Sequence, residues 1–237
     1  MLLPPVIGHR GVAGLAPENT LASFRRAAAL GLTMVEFDVR LSSDAQPVVF
    51  HDDGLERTSN GRGLVAEWTL DRLKQLDAGA WFGAEFAGEP IATLDEVLLL
   101  CRELGLGANL EIKPDHRRKA ETARIALDRA NALWRGCSEV LLISSFEGAC
   151  LEVARDRAPQ WPRGLLVEAV PEDWRDRAVA YGCATVHADH RHLDRTVVAE
   201  IRETGRPVLA YTVNDGDRAR ALRELGVSSV FSDRPQM

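Results

Sequence analysis

The chain has 237 residues, 46% of them hydrophobic, and a formal net charge of -6. That balance excludes the clustered basic surface that nucleic-acid binding draws on, and the length suits one large α/β core in a single domain. No apolar run approaches the roughly 20 residues of a membrane helix, and His9 comes too soon after Met1 for a secretory leader, so the expectation is a cytoplasmic protein.

In chain order, Val6-Ile7-Gly8 reads as a short strand delivering His9-Arg10-Gly11. Pro17-Glu18-Asn19-Thr20 then opens a helix with Leu21, Phe24, Ala28 and Leu30 as its apolar stripe, Asn19 or Thr20 as its cap and Gly31 as its stop. Residues 34–41 form the second strand, and 43–47 a turn. Val48-Val49-Phe50 returns as a hairpin strand that carries His51 back toward Glu36 and Asp38. From residue 53 to 89 the periodicity weakens while glycines recur among Trp68, Trp81, Phe82 and Phe86. This is an inserted segment, expected over the active-site face or packed as a small core of its own.

Regular alternation follows. A helix over 93–104 starts with a capping-box pattern at Thr93 and Glu96, and strand 109–112 carries Glu111 and leads into Lys113. Helices over 118–134, 147–157, 174–181, 196–204 and 217–225 then alternate with strands over 140–146, 164–167, 185–187, 207–213 and 228–231. Arg117-Arg118-Lys119 reads as a solvated first helical turn, and Asn214 as a cap for the last helix. The polar stretch with His187, His190 and His192 reads as a solvated loop. The cysteines at 101, 137, 150 and 183 lack CxxC spacing and read as reduced core thiols.

Eight βα steps predict a TIM (β/α)8 barrel with a small hairpin and inserted subdomain after the second strand. A doubly wound sheet would carry a glycine-rich phosphate loop after its first strand, and none is present. The barrel also accounts for charges inside strand-like runs. Side chains two apart on a strand share a face, so Glu36 and Asp38 form a carboxylate pair, and burying such ions costs several kcal/mol without compensation. Glu36, Asp38 and Glu111 are therefore read as oxygen ligands of a hard divalent cation, Mg²⁺ or Ca²⁺.

Taken together, His9-Arg10-Gly11, Ala16-Pro17-Glu18-Asn19-Thr20, Val35-Glu36-Phe37-Asp38-Val39, His51-Asp52, Leu110-Glu111-Ile112-Lys113, Ser145-Phe146, Tyr211-Thr212-Val213-Asn214 and Ser232-Asp233-Arg234-Pro235 resemble the glycerophosphodiester phosphodiesterase family. The resemblance runs from residue 6 to 235, and the ordered set is far more specific than any one piece. It implies one domain over 1–237 that cleaves small-molecule glycerophosphodiesters, such as glycerophosphocholine or glycerophosphoethanolamine, to glycerol 3-phosphate and an alcohol. Carried over, it implies Glu36, Asp38 and Glu111 as metal ligands, His9 and His51 as the acid/base pair, and Arg10 and Lys113 as phosphate contacts. Tyr211 departs from the Trp that family members often have there. Two readings stand beside it: a phospholipase or sphingomyelinase D-like phosphodiesterase, which would want apolar docking loops, and a catalytically silent barrel that binds glycerophosphodiesters, which would show an eroded ligand or acid/base set.

Overall fold

Eight parallel strands close on themselves in the computed structural model, which describes residues 3–235. The strands are β1 (Val6–Gly8), β2 (Met34–Leu41), β4 (Gly107–Ile112), β5 (Leu141–Ser145), β6 (Arg163–Val167), β7 (Thr185–Asp189), β8 (Val208–Tyr211) and β9 (Ser229–Ser232). Closure comes from β1, which pairs with β9 along its length and with β2 through Gly8 and Val35. The ninth strand, β3 (Pro47–Val49), runs antiparallel to β2 from the Val39 and Val49 pair, as the hairpin reading expects. The helices are α1 (Leu21–Ala29), the short α2 (Leu70–Leu73), α3 (Leu94–Leu104), α4 (Lys119–Trp134), α5 (Gly148–Arg157), α6 (Trp174–Ala180), α7 (Arg195–Glu203) and α8 (Gly216–Leu225). None is long and apolar enough to cross a membrane among the described residues.

Period-2 alternation divides each strand between two environments. On β2, Val35, Phe37 and Val39 join the apolar layer under α1, α3 and α4, with Phe37 edge-to-face on Phe24 at 5.8 Å. Inside the barrel, Ile7, Met34, Leu142, Leu209 and Phe231 form an apolar plug, and Glu36 and Asp38 on β2, with Asn109 and Glu111 paired to them on β4, stand on the C-terminal side of Met34. The plug makes the barrel a packed core with a floor, so chemistry is confined to the C-terminal mouth.

Local signals set the helix ends. Thr20 caps α1, and Thr93 and Glu96 complete the capping box of α3. Asp215, not Asn214, caps α8 by accepting from the Arg218 amide, which corrects the expected role of Asn214. Arg118 departs from a merely solvated turn: its guanidinium donates to Asp115 and to the carbonyls of Leu41 and Ser42, tying α4 to the end of β2. Cys101, Cys150 and Cys183 are buried and Cys137 half-buried, all as free thiols.

Residues 53–89 carry α2 and two single 3₁₀ turns. Leu55, Val65, Leu73 and Ala78 pack with Val48, Phe50 and Ile91 into a small core with Trp68 against it. Trp81, Phe82 and Phe86 instead make an edge-to-face row outside that core.

Candidate active site

Two neighbouring strands supply the acidic trio. The register of β2 on β4 sets Glu36 opposite Asn109 and Asp38 opposite Glu111, and all three acids are buried. One oxygen from each of Glu36, Asp38 and Glu111 lies within 4.8 Å of the others. Glu36 Oε1 is buried with no hydrogen-bond partner among the described residues. Burial, followed by the charges of Asp38 and Glu111, drives the Glu36 carboxyl well above its ordinary pKa, and burial with Asp38 also raises Glu111. Asp38 goes the other way. Burial opposes its ionisation, but Lys113 and Arg10 hold its pKa well below the usual carboxylate range. Lys113 Nζ and Arg10 Nε each lie 3.4 Å from Asp38, Asn19 donates to it at 2.9 Å, and Lys113 Nζ is 2.8 Å from Glu111 Oε1. A crowded oxygen trio with an unspent lone-pair donor is the donor set a hard divalent cation takes, so these residues could hold such an ion.

The loop after β1 presents His9 and Arg10. Arg10 adopts a left-handed φ of 49°, and Asn19 one of 60°, conformations that cost on the order of 1–3 kcal/mol and persist only where the surroundings enforce them. Here the Arg10 amide donates to Glu36 Oε2 at 2.9 Å, and its carbonyl accepts from the Asn19 amide and the Ser23 hydroxyl. Gly11 follows with φ 85°, and a Cβ there would sit 2.3 Å from Ser23 Oγ, so the third position of His-Arg-Gly admits only glycine. His9 Nδ1 is 2.6 Å from Asp233 Oδ1, while its Nε2 lies 3.9 Å from Glu36 Oε2. Asn214 steadies Asp233 by donating to Oδ2 at 2.6 Å and accepting from its amide at 2.8 Å.

His51 arrives from the other side, on the exit of β3. Its carbonyl accepts from Arg40 Nε at 2.8 Å, and its Nδ1 is 2.5 Å from Asp52 Oδ1. Burial lowers the pKa of its imidazole, outweighing the attraction of Asp38. Both histidines, Arg10, Lys113, Glu36 and Glu111 line one cavity of about 480 Å³. Asp38 lies behind the lining, so all seven residues singled out in the sequence converge, six of them on the cavity.

The sequence reading missed several partners. Asp233 and Asp52 orient the two imidazoles; Asp233 directly follows β9 and Asp52 directly follows His51, which is a readable signal. Glu18 and Arg57 join in, as described below. His187 overturns the loop reading: β7 extends through Asp189, and His187 is fully buried and inward-facing, its Nε2 2.8 Å from Thr185 Oγ1. Burial drives its pKa down to about 3. His190 borders the cavity beside Arg218 and His192 is exposed, and among the described residues the acidic trio is the one cluster with metal-ligand spacing. Tyr211, in the place often taken by Trp, lines the cavity with its hydroxyl on the Val167 carbonyl at 2.8 Å and its ring edge-to-face with Phe146.

Comparison with known proteins agrees with this geometry. The sequence profile of the Glycerophosphoryl diester phosphodiesterase family matches residues 9–237. A glycerophosphodiester phosphodiesterase of Caldanaerobacter subterraneus is 34% identical over 235 residues, covering 98% of this chain and 94% of its own. Among solved structures, an Oleispira antarctica phosphodiesterase in complex with the product sn-glycerol-3-phosphate superposes with a TM-score of 0.96 at 43% identity, covering 99% of this chain and 94% of that one. A Thermotoga maritima glycerophosphodiester phosphodiesterase superposes with a TM-score of 0.76 at 26% identity, covering 98% of this chain and 96% of that one. The chain belongs to the glycerophosphoryl diester phosphodiesterase family.

Proposed function

We propose that the protein hydrolyses glycerophosphodiesters, glycerophosphocholine and glycerophosphoethanolamine among them, to sn-glycerol 3-phosphate and the head-group alcohol, with His9 and His51 as the acid/base pair. The observation that carries this reading is the convergence of Glu36, Asp38 and Glu111 beside two histidines and two cations at one cavity. Overall, one water is consumed and the P–O bond to the alcohol breaks. One imidazole takes the proton of the attacking hydroxyl while the other gives a proton to the departing alkoxide, each role worth typically 10²–10⁴-fold. The Nδ1 contacts to Asp233 and Asp52 leave Nε2 of each ring for that exchange.

Arg10 and Lys113 bind the phosphodiester and stabilise the negative charge that grows on its oxygens, Arg10 with a guanidinium able to engage two oxygens at once. Glu36, Asp38 and Glu111 would hold Mg²⁺ or Ca²⁺. When bound, the ion supplies positive charge at the phosphoryl oxygens and an anchor for glycerol hydroxyls. Residues 53–89 form the flap over this face in the proposal, with Arg57 and Trp81 bordering a groove that adjoins His9 and Arg10. Four free cysteines fit a reducing cytoplasm.

The lipid-substrate alternative draws less support, because, of the exposed large apolar residues Leu64, Trp81, Leu99, Phe146 and Val179 among the described residues, just Leu64 and Trp81 belong to the 53–89 segment that would dock. The silent-barrel alternative lacks its premise, since no member of the ligand or acid/base set is replaced. The test is release of glycerol 3-phosphate from glycerophosphocholine with and without Mg²⁺ or Ca²⁺. No release under any of these conditions would sink the reading.

A further inference from the structure

One side chain from the segment after β3 reaches both the acid/base histidine and the phosphate-binding arginine through carboxylates. Arg57 makes four hydrogen bonds. Its Nε and Nη2 donate to Asp52 Oδ2 and Oδ1 at 2.6 and 2.8 Å, and its Nη1 and Nη2 donate to Glu18 Oε2 and Oε1 at 2.7 Å each. Each carboxylate then holds a group of the site. Asp52 Oδ1 is 2.5 Å from His51 Nδ1, and Glu18 Oε1 accepts from Arg10 Nη1 at 2.7 Å. A continuous chain therefore runs His51, Asp52, Arg57, Glu18, Arg10, joining the exit of β3 to the loop after β1.

Stability alone does not account for this arrangement. The Arg57 side chain is 45% exposed, and exposed ion pairs typically contribute about 0–1 kcal/mol. The geometry is what distinguishes it. A planar guanidinium with fixed N–H directions satisfies two carboxylates at once, which a lysine ammonium cannot reproduce. The Glu18 carboxylate it grips is 8% exposed and lies under Arg10, whose backbone is strained.

We propose that Arg57 is a positioning residue that fixes the Asp52 carboxylate against the His51 ring and, through Glu18, fixes the Arg10 guanidinium at the cavity. Resting on the hydrolase reading for its kinetic meaning, this makes the segment after β3 a structural coupler between proton transfer and phosphate binding. Loss of partners that orient a site group typically costs 10–100-fold in activity.

The experiment compares wild type, Arg57→Ala and Arg57→Lys by two readouts. The first is ¹⁵N NMR of the histidine side chains without substrate, with His51 assigned by its absence in His51→Ala. Wild type should show His51 with its proton held on Nδ1, and Arg57→Ala should move those nitrogen shifts toward an averaged tautomer. The second is glycerol 3-phosphate release from glycerophosphocholine. Arg57→Ala should lose on the order of 10–100-fold in kcat/KM and recover part of it in millimolar guanidinium, with Arg57→Lys intermediate and all three folded by circular dichroism. Unchanged His51 nitrogen shifts in Arg57→Ala would overturn the proposal, as would a folded Arg57→Ala enzyme whose deficit guanidinium leaves untouched. Should wild type itself release no product, the hydrolase reading fails, and the nitrogen spectra still decide whether Arg57 orients His51.

Discussion

Glu36 and Asp38 stand two positions apart on the same face of β2, both buried, and their carboxyl pKa values are driven in opposite directions. The difference lies in their neighbours. Asp38 has Lys113, Arg10 and Asn19 around it, whereas Glu36 meets burial first and then two like charges, which the Arg10 amide and guanidinium compensate in part. A cation held by the trio would offset this crowding of like charge.

Glu36→Gln removes one of those like charges while keeping an acceptor for the Arg10 amide. In chelator, the Tm of Glu36→Gln should equal or exceed that of wild type. Adding Mg²⁺ or Ca²⁺ should raise Tm in wild type only, since an ion that binds the folded state alone stabilises it by mass action. A variant that gains as much Tm as wild type would remove Glu36 from the ligand set.

Exhaustive chelation should abolish glycerol 3-phosphate release, and replenishing Mg²⁺ or Ca²⁺ should restore it. Persistent turnover after dialysis against chelator, with metal content verified by elemental analysis, would refute a metal-dependent reaction.

His9→Ala and His51→Ala should each lower kcat by at least about 10²-fold, with circular dichroism and Tm close to wild type. Neither ring belongs to an apolar cluster, and the orienting carboxylates Asp233 and Asp52 retain Asn214 and Arg57 respectively. A variant that keeps near-normal kcat excludes that histidine from proton transfer.

His187 gives a prediction about stability and pH. Burial lowers its folded-state pKa to about 3, while an unfolded histidine titrates near 6.5. Between those values the unfolded chain holds the proton and the folded chain does not. Stability from this residue is therefore fully present above about pH 6.5 and falls as pH drops toward about 3, by about 1.4 kcal/mol per pH unit at most. Urea unfolding at pH 7, 6 and 5 should show a shallower pH slope in His187→Gln than in wild type. Equal slopes would mean that His187 takes up its proton over the same pH range in the folded and unfolded chains.

Phe37→Ala tests the outer layer behind the same strand. Phe37 is fully buried against Phe24, so its loss should cost about 3–5 kcal/mol by chemical unfolding. A cost below about 1 kcal/mol would mean that the layer beneath α1 closes over the gap.

Much of this protein is written locally. Alternation with period 2 marks which residues of β2 and β4 face inward, and Thr93 with Glu96 marks the start of α3. The hairpin that returns His51 and the order of eight βα steps follow from the same short-range rules, so the barrel and the converging seven residues are legible before any coordinates. The rest depends on contacts between segments that no local rule relates. His9 and Asp233 meet across 224 positions. Arg57 bridges Asp52 and Glu18, Asn214 turns from the helix it precedes to hold Asp233, and His187 becomes a buried barrel residue because β7 continues to Asp189. Residue type and spacing choose the chemistry, whereas the partners and protonation of each group depend on distance and burial, which exist only once the barrel has closed.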